Sequence, residues 1–124
     1  MDVRSTVALI TGGGTGIGRA TALELAGRGA RAIAISYSVS EDDARQTVDE
    51  LKLLGVQALM VKADIRVEAE VSDLVSTVVD AFGGLDILVN NAGITRYVPL
   101  KNLAGLTDEI WDLTFDTNLR GNFY

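Results

Sequence analysis

TGGGTGIGR, residues 11–19, is the stretch that decides the fold, because it joins a short apolar run to an expected helix. The run before it, Val7–Ile10, is continuously apolar, which is typical of a strand covered on both faces of a parallel sheet. Glycines between a strand and a helix allow a tight turn, and the main-chain N–H groups that begin the helix favour phosphate groups. The stretch therefore indicates a phosphate-binding turn. The alternative is a glycine-rich turn that only packs the helix against the strand.

The spacing of the glycines separates three kinds of turn. A Walker A loop beginning at Gly13 needs Lys and then Ser or Thr directly after Gly18, but Arg19 and Ala20 stand there. The dinucleotide-binding pattern with two residues between its last glycines also fits poorly, because the spacing here is Gly-x-x-x-Gly-x-Gly. Three glycines suit, in order, a tight turn, a close approach to a pyrophosphate and close helix–strand packing: Gly12, Gly16 and Gly18.

Three further apolar runs follow at intervals of about 26 residues, the period of repeated strand–helix–strand units. They are Ala32–Ile35, Ala58–Val61 and Leu85–Val89. The gaps between them carry helical patterns, so the element order is β-α-β-α-β-α-β-loop-α. With right-handed crossovers and short connections, this order predicts an α/β fold, an open doubly wound parallel sheet.

Capping residues and apolar stripes place the helices. Ser40, with Asp43 three residues later, predicts a reciprocal cap at the start of the second helix, and Gly55 predicts a left-handed end. In the third gap an apolar stripe stops at Gly83-Gly84; its members are Val67, Val71, Leu74, Val75, Val78 and Phe82. A last helix is predicted from near Thr107 to the end of the chain, with one apolar face formed by Trp111, Phe115 and Leu119.

Composition excludes several classes of function. The 124 residues are enough for one domain or part of one. Eleven Lys and Arg against 17 Asp and Glu give a net charge of −6, which argues against nucleic acid and anionic membranes as partners. The chain has no Cys and no His, which excludes disulfides, thiol catalysis, a Ser-His-Asp triad and a His-ligated metal. No stretch has the pattern of a signal peptide or a membrane span, so a cytoplasmic location is expected.

Four motifs, in their order and spacing, resemble the short-chain dehydrogenase/reductase family in its classical type. The first is the glycine turn, with Thr11 in front of it and Ile17 inside it. Asp64-Ile65 follows the third strand, and Asn90-Asn91-Ala92-Gly93 follows the fourth. Asn118 lies in the last helix within the sequence TNLRG. The resemblance covers the whole chain but only about the first half of a typical member.

The resemblance implies a Rossmann fold truncated after the fourth strand and the following helix. Residues 1–124 would then form the N-terminal part of a single dinucleotide-binding domain. The pyrophosphate and the adjoining ribose of the cofactor would lie on Gly12, Thr15, Gly16, Ile17 and Gly18. Asp64 would accept a hydrogen bond from the adenine amino group, and Ile65 would pack on the ring. The strand end beside the nicotinamide ribose would be held open by Asn91, Ala92 and Gly93.

The resemblance also gives one catalytic residue within the chain. The main chain of Asn118 would bind a water of the family's proton relay. The alternative is a solvent-facing Asn, but its place three residues after Phe115 and seven after Trp111 predicts a position on the apolar face. Two other motifs also have explanations that involve no cofactor. Asp64 could cap a helix, and Asn-Ala-Gly suits a plain turn at the end of a strand.

The tip of the second strand favours NADP over NAD. NAD binders usually carry an acid there that accepts from the ribose 2′-OH, but this chain has Ser36-Tyr37-Ser38-Val39-Ser40 and its first acid is Glu41. Hydroxyl groups can donate to a 2′-phosphate, so the candidate contacts are Ser36, Tyr37 and Ser38. NADP binders of the family often add Arg or Lys here or in the glycine turn, but Val39 and Thr15 occupy those places. Arg19 lies either within reach of the phosphate or along the helix surface.

The family's acid–base groups are expected outside this chain. The resemblance implies a Tyr general acid/base with a Lys one helical turn later, and a Ser that orients the substrate carbonyl. In the family these residues lie a few dozen positions beyond the Asn of the last helix. Tyr97 and Lys101 imitate the Tyr–Lys spacing, but Pro99 between them resists a helix. We therefore expect no catalytic role for Tyr97.

The predicted function is that of an NAD(P)-dependent oxidoreductase acting on a small-molecule carbonyl or alcohol substrate of unknown identity. Residues 1–124 alone are expected to be inactive. The alternatives are a non-catalytic dinucleotide-binding module and an inactive, self-associating folding fragment. Self-association is expected through the edge strand Leu85–Val89 or the last helix, and the resemblance implies homo-oligomers.

Overall fold

The computed structural model describes all 124 residues and contains one parallel sheet of four strands. The strands are β1 (Val7–Ile10), β2 (Ala32–Tyr37), β3 (Gln57–Lys62) and β4 (Ile87–Val89). Their order in the sheet is β3-β2-β1-β4. The predicted open, doubly wound α/β sheet is therefore confirmed.

The helices are α1 (Gly16–Gly27), α2 (Glu41–Leu53), α3 (Glu68–Phe82), α4 (Asp108–Phe115) and α5 (Gly121–Phe123). The segment Asp116–Arg120 joins the last two as a π turn, so the predicted last helix is continuous but widened by that turn. Such turns are rare and often lie at functional sites. A short 3₁₀ turn, Leu103–Gly105, precedes α4. No helix combines the length and apolar character needed to cross a membrane.

Both faces of the two central strands, β1 and β2, are covered, which explains why these strands are continuously apolar. Successive residues of a strand point to opposite faces. In β1, Ala8 and Ile10 pack with α1 and α2, whereas Val7 and Leu9 pack with α3. All four β1 side chains are almost inaccessible to solvent, and so are the residues beside them on β2.

Three local predictions have clear outcomes. Gly55 and Gly83 end their helices with φ of +81° each, which is the left-handed end predicted for these positions. The reciprocal cap at Ser40 is wrong: its side chain caps nothing, because its backbone (φ −84°, ψ 69°) is not extended as a cap requires. The fourth strand, Ile87–Val89, is shorter than predicted; at Asp86 the N–H donates to the Val7 carbonyl at 2.9 Å, but the Val7 N–H donates to the Asp86 carboxylate at 2.8 Å instead of to a main-chain carbonyl.

The strand order also fixes where a ligand can bind. The chain runs outward from β1 to β2 and β3, and then returns to the other side of β1 for β4. The loops after β1 and β4 therefore leave the sheet in opposite directions at its carboxyl edge. Such a switch point opens a crevice, which is the usual ligand site of this architecture.

Candidate cofactor-binding site

A cleft of about 810 Å³ opens at the carboxyl edge of the sheet. It is lined by 19 residues from the glycine turn, the ends of all four strands and α4 with its π turn. Twelve of the predicted site residues line it: Gly12, Thr15, Gly16, Ile17, Ser36, Tyr37, Ser38, Asp64, Ile65, Asn91, Ala92 and Gly93. Gly18 and Asn118 do not line the cleft, but each contacts residues that do. Gly18 packs against Gly12 and Asn91, and Asn118 bonds Ile94.

The glycine turn is shaped by positive backbone angles and by close contacts. Gly12 and Gly16 have φ of +65° and +54°, which L side chains rarely adopt. A Cβ on Gly18 would lie 2.5 Å from the Gly12 carbonyl oxygen and 2.4 Å from the Asn91 amide nitrogen. A Cβ on Gly16 would meet nothing, so the main chain there faces open space at the start of α1. This is the geometry that lets a phosphate approach N–H groups.

Thr11 and Asn91 tie the glycine turn to the end of β4. The Thr11 hydroxyl accepts from the N–H groups of Asn91 and Ala92 at 3.1 and 3.0 Å. In return, the Asn91 side-chain amide donates to the carbonyls of Thr11 and Gly12 at 3.0 and 3.1 Å. Because the four bonds cross the switch point, the two loops that bound the cleft form one rigid unit.

A second contact holds the turn from the α2 side. The hydroxyl of Thr47, which is fully buried, donates to the Gly14 carbonyl at 3.1 Å. A Cβ on Gly13 would lie 2.4 Å from the Ile35 side chain, so α2 and β2 leave no room for substituents. Thr47 was not among the predicted site residues. The sequence did contain a signal for it: Thr47 is a polar residue on the predicted buried face of α2, which Ala44, Val48 and Leu51 form.

The two serines at the tip of β2, Ser36 and Ser38, differ in burial and in their contacts. Ser36 is buried, and its hydroxyl accepts from the Gly12 N–H at 3.3 Å, so it supports the turn. Ser38 is exposed at the cleft. Arg19 does not line the cleft: its guanidinium bonds the Glu50 carboxylate on α2, and these bonds lower the pKa of Glu50. Of the two positions considered for Arg19, the helix surface is therefore the observed one.

Asp64 and Arg66 form an ion pair inside the cleft. Asp64 Oδ1 accepts from the Arg66 N–H at 3.0 Å and from its Nε at 2.9 Å. These hydrogen bonds hold the pKa of the Asp64 carboxyl below its usual range. The alternative explanation of Asp64 as a helix cap is wrong, because α3 begins after Val67. Arg66 was not among the predicted site residues, since an ion pair between residues two positions apart leaves no periodic signal in the sequence.

Asn118 faces inward, toward the loop after β4. Its side chain contacts the main chain of Ile94, which lines the cleft. The solvent-facing alternative is therefore wrong. Trp111 and Phe115, with which the sequence groups it on one face, are about half exposed, whereas Leu113 lines the cleft. The π turn re-aims Asn118 relative to a regular helix.

Tyr97 and Lys101 form no catalytic arrangement. The chain between them is an irregular loop, and Tyr97 is 89% exposed and does not line the cleft. Pro99 stands in this loop, as the sequence analysis expected for a residue that resists a helix.

Comparison with known proteins agrees with this fold and cleft. The sequence model of the family described as short chain dehydrogenase matches residues 6–124. This chain belongs to the short-chain dehydrogenase family, whose members are oxidoreductases, so the resemblance found in the sequence is confirmed.

Individual relatives support the same placement. The short-chain dehydrogenase/reductase homolog YusS of Bacillus subtilis is 44% identical over 110 residues, which are 89% of this chain and all of that protein. The 3-oxoacyl-[acyl-carrier-protein] reductase FabG of Staphylococcus aureus is 42% identical over 94% of this chain and 46% of its own length. A short-chain dehydrogenase from Burkholderia cenocepacia, solved in complex with NADP, superposes with a TM-score of 0.89 at 41% identity. That match covers 99% of this chain and 49% of the solved one.

The chain therefore spans about half the length of most of these relatives, but the whole of YusS.

Proposed function

We propose that this chain is the N-terminal, cofactor-binding part of an NADP-dependent oxidoreductase that acts on a carbonyl or alcohol substrate. The observation that carries the proposal is the cleft at the switch point, into which the glycine turn and the ends of all four strands converge. When bound, the nicotinamide would supply the hydride donor or acceptor. The residues of this chain would bind it, orient it and hold its phosphates.

The proposed contacts follow the geometry of the cleft. The main chain at Gly16 and the start of α1 faces open space. It suits the diphosphate, because the positive end of the helix dipole and the free N–H donors lie at the same place. Asp64, kept ionised by Arg66, would accept from the adenine amino group, with Ile65 against the ring. The loop after β4, held by Thr11, would contact the nicotinamide ribose at Asn91, Ala92 and Gly93.

Asn118 would act through the main chain. Its side chain is engaged with Ile94, so its own carbonyl would be the group that holds a relay water. That carbonyl already accepts from the Asn122 amide at 2.7 Å, which leaves one lone pair for a water. We place the Ser and the Tyr-x-x-x-Lys pair outside residues 1–124, so these residues alone would bind cofactor without turnover.

The preference for NADP rests on charge at the β2 tip. Residues 36–40 carry no carboxylate, and Glu41, the next acid along the chain, is engaged by Arg45 at 3.0 Å. Asp64, the one carboxylate that lines the cleft, follows the neighbouring strand β3 and is paired with Arg66. Ser38 presents an exposed hydroxyl there that could donate to a 2′-phosphate. The Burkholderia relative was solved with NADP, which supports the same cofactor here.

The test is a direct titration of the chain with NADPH and with NADH, followed by nicotinamide fluorescence or by calorimetry. We expect NADPH to bind more tightly. Tighter binding of NADH would contradict the cofactor assignment, and no binding of either would leave only a folding fragment. The full-length protein with NADPH and a panel of ketones would then be assayed for loss of nicotinamide absorbance, which tests the reaction itself.

A second candidate is a non-catalytic dinucleotide-binding module. It is favoured by one observation, the match of this chain to YusS over the whole of that protein. Cofactor binding by the full-length protein, with no turnover of any carbonyl or alcohol, would support this module over the enzyme.

Self-association is the proposed assembly. Three apolar side chains of the last helix are about half exposed on one face: Trp111, Phe115 and Leu119. Strand β4 pairs on one side only, and Leu88 within it is 52% exposed. Both features would be covered by a second copy. A monomer in sedimentation analysis at high concentration would contradict this.

A further inference from the structure

Arg96 is a cation of the cleft without an acidic partner. It lies in the loop after β4, is exposed, and is one of the residues that line the cleft. Its one hydrogen bond is a long contact of 3.4 Å from Nη1 to the carbonyl of Thr95, its own neighbour. The side chain is thus free to present its donors to a ligand.

The other arginines are occupied. Six of them form ion pairs with carboxylates: Arg4, Arg19, Arg28, Arg45, Arg66 and Arg120. Arg31 donates to the Phe82 carbonyl at 2.9 Å. Of the eight arginines, Arg96 is therefore the one with neither a carboxylate partner nor a hydrogen bond outside its own neighbouring residue.

The charge of Arg96 is uncompensated within the cleft. Only two other ionised side chains line it, Asp64 and Arg66, and they neutralise each other. The cleft therefore carries one net positive charge, located on the β4 side. A cleft lined by one sign of charge concentrates ligands of the opposite sign.

The place of Arg96 points to the substrate rather than to the cofactor phosphates; this step rests on the proposed function. The proposed phosphate donors are main-chain groups of the glycine turn, and the proposed nicotinamide contacts end at Gly93. Arg96 follows these contacts in the chain, and α4 and its π turn contribute Leu113 and Thr117 to the same cleft.

We infer that Arg96 binds an anionic group of the substrate and selects carbonyl or alcohol compounds that carry a carboxylate or a phosphate. A guanidinium matches either group with two parallel N–H bonds, which a lysine ammonium cannot reproduce. Ile94 and Leu113, which also line the cleft, supply apolar surface for the rest of the compound.

The experiment compares a charged and a neutral probe on the full-length protein. The probes are 3-hydroxybutyrate and its methyl ester, titrated by saturation-transfer NMR with NADPH present, so that no hydride can be transferred. The variants are Arg96→Gln and Arg96→Lys. Lys101→Gln is the control, because Lys101 is an exposed cation of the same loop that does not line the cleft.

We expect Arg96→Gln to weaken 3-hydroxybutyrate binding about tenfold or more, since a charge-assisted contact is lost. Arg96→Lys should recover part of that loss, and the ester and Lys101→Gln should be unaffected. Equal binding of the two probes to the wild type, or an equal loss for both in Arg96→Gln, would overturn the inference.

Two further outcomes separate the inference from the function it rests on. A weaker NADPH affinity in Arg96→Gln, with unchanged preference for the carboxylate, would assign Arg96 to the cofactor phosphates and overturn the inference. If NADPH does not bind the wild type at all, the proposed function fails. In that case 3-hydroxybutyrate is titrated without NADPH, and a loss of its affinity in Arg96→Gln, or no loss, tests the inference on its own.

Discussion

Asn118 holds the main chain of Ile94 through both ends of its amide. Its Nδ2 donates to the Ile94 carbonyl at 2.9 Å, and its Oδ1 accepts from the Ile94 N–H at 2.7 Å. The same oxygen would lie 3.2 Å from a Cβ on Gly93. The π turn and the loop after β4 are therefore held together by one side chain, directly beside the cleft.

Removal of this amide is the first prediction. Asn118→Ala should lower the free energy of unfolding by about 1–2 kcal/mol, because the Ile94 N–H and carbonyl lose their partners in a half-buried place. Urea denaturation measures the loss, and faster exchange of the Ile94 amide hydrogen locates it. Asn102→Ala is the control, since Asn102 is exposed. An equal effect of the two variants would contradict a specific contact.

The second prediction concerns the third glycine of the turn. Gly18→Ala should destabilise the chain by about 1–3 kcal/mol, because its Cβ would press on the Gly12 carbonyl and the Asn91 amide. It should also abolish cofactor binding, since both neighbours shape the cleft. Gly27→Ala, at a place with open space and no positive φ, should be neutral or slightly stabilising. Thermal unfolding and NADPH titration of both variants test this pair.

The third prediction concerns pH. Because Arg66 lowers the folded-state pKa of Asp64 below its unfolded value, the pair stabilises the fold at neutral pH. That contribution is lost as the pH falls through the folded pKa of Asp64. Arg66→Gln should therefore raise the pKa of Asp64 in carboxyl-carbon NMR titration. Since the pair is partly exposed, the stability loss should not exceed about 1 kcal/mol, and should vanish in acid.

The control for that titration is Arg45→Gln, which breaks the exposed pair with Glu41 and should leave the pKa of Asp64 unchanged. The same pKa of Asp64 in the wild type and in Arg66→Gln would show that the ion pair does not form in solution.

The fourth prediction tests the tip of β2. Ser38→Asp should weaken NADPH binding about tenfold or more, because a carboxylate there would repel a 2′-phosphate. It should strengthen NADH binding, since the same group can accept from a ribose 2′-OH. Ser38→Ala, which removes the hydroxyl without adding charge, is the matched control. Unchanged ratios of the two dissociation constants in Ser38→Asp would place the ribose elsewhere.

The fifth prediction concerns the loop tyrosine. Tyr97→Phe in the full-length protein should leave turnover within about twofold of the wild type, because an exposed phenol outside the cleft has no reacting group in reach. A collapse of turnover with intact folding and intact NADPH binding would show that this phenol takes part in the reaction.

The sequence was sufficient to predict the sheet and most of the cleft. Strands covered on both faces are continuously apolar, and Gly55 and Gly83 ended their helices as predicted. Twelve predicted residues line one cleft because carboxyl ends of parallel strands meet at one edge.

The contacts between distant residues could not be predicted from local pattern. The bonds between Thr11 and Asn91 join residues that are 80 positions apart. The local sequence around either residue does not indicate which residue it will bond. The direction of Asn118 depends on the π turn, which shifts the side chain relative to a regular helical repeat. The failed cap at Ser40 shows that a capping residue also needs the right backbone angles.

Trp111 is the only tryptophan of the chain, and its ring stacks on Phe115 with centroids 5.5 Å apart. Two residues further along α4, Leu113 lines the cleft. The protein thus contains its own optical reporter on the helix that contributes Leu113 to the ligand site. Ultraviolet emission can follow ligand binding, unfolding and assembly without a label, and its overlap with reduced nicotinamide absorption allows energy transfer to report the distance between ring and cofactor.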